Sequence, residues 1–208
     1  MMNQGLFYQC DLLNSVSLPS TLSEIQQNAF YGCKNLTTIS LPATVTLIGS
    51  NAFKDCWNLS NFTFGPSASE DFSESAITAL GTSVFSNCYS LEEIKLPENL
   101  RSIGNSTFRM FPNNSNGLES TLNKITLPDT VSSIGSYAFS GCRNLSQCNL
   151  SSSLLSIGST SFENCIALVS LIILDVCGGY DINFGFADTS CGRTILCYEW
   201  ILIGQNDA

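Results

Sequence analysis

Ten cysteines are the side chains of this 208-residue sequence best able to do chemistry, and their spacing decides which chemistry. Thiolates hold zinc, attack electrophiles or close disulfides. No pair stands as Cys-x-x-Cys and the chain has no His, so the usual tetrahedral zinc patterns are absent. Without His, the commonest general base, there is also no Ser-His or Cys-His pair to generate a nucleophile. The acidic pairs Glu92-Glu93 and Glu70-Asp71 fall on strand and loop surfaces with no predicted cleft around them. Glycines recur as turn punctuation, not as a phosphate cradle. These residues point away from an enzyme, a metal site or a cofactor.

The cysteines instead keep a register. Cys10, Cys33, Cys56, Cys88, Cys142 and Cys165 each follow a Phe by three residues. Those rings belong to a series, Phe7, Phe30, Phe53, Phe85, Phe108, Phe139 and Phe162, spaced by 23, 23, 32, 23, 31 and 23 residues. Only Phe108 breaks the pairing, with Phe111 substituting where the Cys is due. A period of roughly 20–50 residues signals a solenoid, because one unit cannot hide its apolar face until a neighbouring coil stacks on it. Like residues then form inward ladders, Phe on Phe and Cys on Cys. Stacked Cα atoms about 5 Å apart are within disulfide reach, but parallel side chains poorly suit the near-perpendicular disulfide torsion, so buried free thiols are expected. Cys148 replaces an inward Ile and belongs to the core, while Cys177, Cys191 and Cys197 lie off the frame. Cys191 and Cys197 could pair in an exported protein.

Stepping outward from those ladders, the coils align on L-P-x-x-[VL]-x-x-I-G-x-x-A-F-x-x-C-x-x-L-x-x-I-x, best kept from Leu18 to Ser40, Leu41 to Thr63 and Leu127 to Asn149. Around Thr38-Ile39-Ser40-Leu41 the apolar residues alternate with polar ones, the period of a half-buried strand. One short strand per coil is predicted, ended by the Pro that follows, as Pro42 does here. Ile48-Gly49 then opens a turn where glycine accepts a positive φ, and Ser50 to Cys56 reads as a single helical turn or tight bend on the convex side. The fold class expected is an α/β solenoid, a right-handed stack of about seven coils with parallel strands on a concave face.

The string "LPATVTLIGSNAFKDCWNLSNF" at 41–62, repeated in register along roughly residues 6–172, resembles the BspA-like leucine-rich repeat, or TpLRR class. The resemblance implies a non-enzymatic, often surface-associated solenoid of the kind found in mucosal bacteria and parasitic protists. It also implies a protein ligand, such as a host matrix or cell-surface protein, and a role in adhesion.

Composition agrees with a neutral, hydroxyl-rich exterior: charged residues are 12% and net charge is −9. Eight Lys and Arg, none clustered, argue against nucleic acid and anionic membranes. No apolar run reaches the length of a membrane span. The first residues form no recognisable secretory signal, so a cytoplasmic location stays open beside the cell surface. They also enter the frame halfway, which reads as a fragment or the product of a truncated gene. Insertions fall at 66–74 and 109–121, and the frame fails after Leu174. Residues 1–174 are thus the solenoid, and 175–208 either a diverged cap or a non-native tail.

Outward strand residues make the candidate binding face: Thr38, Ser40, Asn61, Thr63, Glu93, Lys95, Lys124, Thr126, Gln147 and Asn149. Ser15, Ser17, Ser170 and Ile172 extend it. It lacks the Trp, Tyr and Arg anchors that dominate most interfaces, so any single contact is weak and multivalency must compensate. Two roles fit: an adhesive surface protein, or an intracellular scaffold for which this strip is soluble cover. Of seven Asn-x-Ser/Thr sequons, Asn35, Asn58 and Asn144 share a turn position, and Asn113 in the second insertion is the favoured acceptor if the chain is secreted.

Overall fold

The computed structural model describes residues 3–65, 75–111, 117–173 and 194–197, and every regular element within them is a β-strand. Each coil uses two. The first row holds two-residue strands: β1 (Glu24–Ile25), β3 (Leu47–Ile48), β5 (Ala79–Leu80), β6 (Ser102–Ile103), β8 (Ser133–Ile134) and β10 (Ser156–Ile157). The second row holds β2 (Thr38–Ser40), β4 (Asn61–Thr63), β7 (Lys124–Thr126), β9 (Gln147–Asn149), β11 (Ser170–Ile173) and β12 (Thr194–Cys197). All pairings are parallel, as coil-on-coil stacking requires.

Three expectations are corrected. The first row runs from β1 to β10 and encloses five complete turns rather than about seven coils, because six strands bound five turns and the seventh ring, Phe7, belongs to a partial coil. The described residues contain no helix, so the architecture is a β-solenoid and not α/β. Each coil also has a second strand where only a turn was expected, since Leu47–Ile48 pairs with Glu24–Ile25 before the glycine is reached.

The segment around each ring fails to be helical for a visible reason. Residues two before and two after the ladder Phe take positive φ: Gly5 and Gln9, Asn28 and Gly32, Asn51 and Asp55, Ser83 and Asn87, Tyr137 and Gly141, Thr160 and Asn164. Left-handed residues interrupt a right-handed turn and face alternate N–H groups to one side. At each joint, three of these N–H groups donate to carbonyls of the next coil; Asn28, Phe30 and Gly32, for example, reach Ser50, Ala52 and Lys54 at 3.1, 2.8 and 2.8 Å. The same triplet recurs from Gly5, Phe7 and Gln9 onward to Tyr137, Phe139 and Gly141, always toward the C-terminal neighbour.

The frame glycines work differently from the expectation. Gly49 does not take a positive φ; a Cβ there would sit 2.5 Å from the Gln27 nitrogen, and one on Gly158 would sit 2.3 Å from that of Ser136. Glycine is required because the coils touch backbone to backbone.

The core lies between the rows. Phe30, Phe53, Phe85, Phe108, Phe139 and Phe162 are buried and stack with centroid spacings of 5.1 to 5.8 Å, continuing from half-buried Phe7. Both rows break together, since no pairing joins β3 to β5, or β4 to the Glu93 position, among the described residues. Phe62 and Phe64 pack there instead, with Phe62 edge-on to Phe53 and Phe85 at 5.1 and 4.7 Å. On the turn side the joint stays closed, as Asn51, Phe53 and Asp55 still donate to Thr82, Val84 and Ser86.

Candidate functional site

The strand face presents small polar side chains on either side of buried Ile39, Phe62, Ile125 and Cys148. Thr38, Ser40, Asn61, Glu93, Lys95, Lys124, Thr126, Gln147 and Asn149 are exposed and Thr63 is half-buried. Register places Thr38 beside Asn61 and Ser40 beside Thr63, and separately Lys124 beside Gln147 and Thr126 beside Asn149. Glu93 joins the second group through its bridge to Lys124, and Ser15 the first through its bridge to Thr38. The candidate residues therefore form two patches divided at the broken joint, not one strip.

In the first patch Thr63 Oγ1 donates to Ser40 Oγ at 2.8 Å, and Ser40 Oγ to the Gly65 carbonyl at 2.9 Å. Beside it a cleft of about 390 Å³ is lined by Val16, Leu18, Thr38, Ile39, Ser40 and Pro42. Glu93, Lys95, Thr126 and Pro128 line a smaller one of about 250 Å³. These groups can exchange hydrogen bonds and pair charges with a ligand. Ser170 and Ile172 lie in β11, where only the backbone is described.

The thiol ladder has its own geometry. Cys33, Cys56, Cys88, Cys142 and Cys165 are buried, and each Sγ donates to the carbonyl of the ladder Phe one coil before, at 3.0 to 3.2 Å. Cys10, Cys33, Cys56, Cys88, Cys142 and Cys148 are free thiols. Burial pushes the Cys33 thiol up to about 11, and those of Cys56, Cys88, Cys142 and Cys148 upward as well, so each stays neutral. A protonated thiol is a poor nucleophile and a poor metal ligand. The ladder is structural in its chemistry.

The turn edge carries what sequence reasoning missed. Tyr8 stacks on Tyr31 at 5.0 Å, and the Lys54 ammonium lies 5.8 Å from the Tyr31 ring. Lys34 lies 5.0 Å from the Trp57 ring and pairs with Asp11 at 3.0 Å. Burial, then the hydrogen bond with the Asp55 carboxylate, pushes the Tyr31 hydroxyl up to about 12. The signal was available, because these residues occupy the frame positions directly after the ladder Phe and the Cys. Phe111 belongs here too. It does not replace the inward Cys of its coil: its side chain is 41% exposed, while Met110 is buried.

The 66–74 insertion, Asn113, and Cys177 and Cys191 of the tail lie outside the described residues; of Cys197 only its place in β12 is described. No helix among the described residues is long and apolar enough to cross a membrane.

Comparison with known proteins agrees with this geometry. The structure of the T. pallidum leucine rich repeat protein TpLRR is similar at a TM-score of 0.52 and 26% identity, over 73% of this chain and 76% of that one. The pneumococcal vaccine antigen PcpA is similar at 22% identity and a TM-score of 0.45, over 74% of this chain and 44% of that one. A leucine rich cell surface protein of Faecalibacterium prausnitzii is similar at 25% identity and a TM-score of 0.39, over 82% and 56%. No curated protein sequence matches the chain. The model of the BspA type leucine rich repeat region matches residues 1–116 and 117–178 in six copies, and the chain belongs to that family of generally non-enzymatic protein-interaction scaffolds.

Proposed function

We propose that this repeat protein is displayed at a cell surface and mediates adhesion by holding a protein ligand, such as a host matrix or cell-surface protein, on its strand face. The observation that carries the reading is the register of exposed hydrogen-bonding side chains on rigid strands, Thr38 with Asn61 and Lys124 with Gln147. Rigid elements present such groups at little entropic cost. Each contact is weak, so affinity comes from many copies engaging together.

The test replaces Thr38, Thr63, Lys95, Lys124 and Gln147 together by Glu and follows beads carrying many copies on a cell-derived matrix. Retention should fall steeply while urea melting stays near that of the parent, because none of these side chains enters the core. Unchanged retention with normal melting refutes the strand-face assignment.

A second reading, an intracellular scaffold, rests on a different observation: buried Cys33, Cys56, Cys88, Cys142 and Cys148 form no disulfide, the usual state in a reducing compartment. Surface biotinylation of intact cells separates the two readings.

A further inference from the structure

The fifth coil departs from the frame at one point, and the departure builds a clamp. Six coils place a left-handed residue two positions after the ladder Phe, but Met110 is not among the positive-φ residues. The chain therefore carries Phe111 outward instead of turning a Cys inward. The Phe111 backbone is pinned on both sides: its N–H donates to Asn87 Oδ1 at 3.1 Å, and its carbonyl accepts the Tyr89 hydroxyl at 3.2 Å. Asn87 is itself fixed, with Nδ2 donating to Asp55 at 2.7 Å. Across from Phe111 stands Tyr137, a left-handed residue whose N–H is held by the Ser159 carbonyl at 3.1 Å.

The Arg109 guanidinium lies over both rings, with Cζ 4.5 Å from the Phe111 centroid and 4.6 Å from that of Tyr137. Both ring faces are within cation–π reach of the planar guanidinium, whose edge carries the N–H donors. Among the described residues that edge meets no carboxylate, whereas Lys34 and Arg143 are paired with Asp11 and Glu119. A stacked Arg with its edge unpaired is preorganised for a planar, bidentate oxyanion.

We propose that Arg109, held by Phe111 and Tyr137, is a carboxylate-binding site that takes an Asp or Glu side chain from an apolar-flanked segment of a partner protein. A single cation on a chain of net charge −9 matches one carboxylate and not a polyanion, whose phosphates require several basic residues. The rings, 41% exposed at Phe111 and 36% at Tyr137, offer apolar area to the residues flanking that carboxylate. The site lies on the turn edge and does not depend on the strand face.

The probes are acetylated, amidated octapeptides with one central Glu between leucines, their Gln and phosphoserine counterparts, and fluorescence anisotropy as readout. The Glu peptide should bind at least about tenfold tighter than the Gln peptide. Arg109→Lys should lose that preference although the charge remains, because an ammonium has no fork. Phe111→Ala and Tyr137→Ala should weaken binding with melting held near the parent value. The five-fold strand-face variant should bind the Glu peptide as the parent does, so failure of one assignment is not failure of the other. Equal binding of Glu and Gln peptides, retention by Arg109→Lys, or no peptide bound better by the parent than by Arg109→Gln at millimolar concentration overturns the site. Tighter binding of phosphoserine than of Glu overturns the choice of carboxylate.

Discussion

The turn side and the strand side of this solenoid solve stacking differently. At the third joint neither strand row is paired among the described residues and Phe62 and Phe64 pack there, yet the turn-side triplet from Asn51, Phe53 and Asp55 continues unbroken. The thiol bond at that joint, Cys88 to the Phe53 carbonyl at 3.2 Å, also persists. Cohesion therefore resides on the turn side and in the ring column, and strand pairing is the dispensable partner. That division leaves the strand face free to change its exposed residues without loosening the stack.

The ring column is where the stack is most readily broken. Phe53→Ala removes a fully buried side chain with stacked neighbours on both faces and should cost about 3–5 kcal/mol. Phe7→Ala, at a half-buried ring with one stacked neighbour, should cost far less. Urea melts that show equal losses would mean the column does not hold the joints. Gly158→Ala is next, because its Cβ would meet the Ser136 nitrogen at 2.3 Å; overpacking of this kind costs about 1–3 kcal/mol. Gly81→Ala, whose nearest contact would be 3.3 Å, should be milder in the same melts.

A pH series sharpens the thiol side of the contrast. The folded state raises the Cys33 thiol from 9.0 to about 11, so its neutral form is favoured by folding. Stability from that group is complete below pH 9.0 and is lost as pH rises toward about 11. The urea midpoint should be flat near neutrality and fall across that window. A midpoint that instead rises there contradicts a buried neutral donor. Under native conditions a thiol reagent should label half-buried Cys10 and spare Cys56, Cys88 and Cys142 until the chain unfolds. The smallest effect belongs to the strand face: Thr38→Glu alone should shift stability by no more than about 0.5 kcal/mol.

The sequence made the ladder register legible because Phe and Cys recur at one step and one offset. It hid the second strand, since Leu47-Ile48 is only two residues long and the following glycine reads as a turn. It hid the left-handed pairs for a related reason: their occupants range from Gly and Asn to Tyr137 and Thr160, so no residue type marks them. Glycine at Gly49 was visible, but its cause was not, because a 2.5 Å approach to Gln27 depends on the neighbouring coil. Phe111 misled most, since the frame placed it inward and only the backbone path at Met110 sends it out. The polar strand residues were legible as alternation within one coil, whereas their division into two patches arises between coils.

Every turn-side joint uses the same three donors and the same three acceptors, irrespective of whether the side chains there are Asn, Ser, Tyr or Gly. A coil is thus an interchangeable part with a fixed plug at one end and a fixed socket at the other. A gene duplicating or deleting one whole 23-residue unit leaves every remaining connection of the same kind, so length can drift in evolution while the fold does not. An insertion or deletion of a partial unit has no such protection, and must loop outward or sever the column.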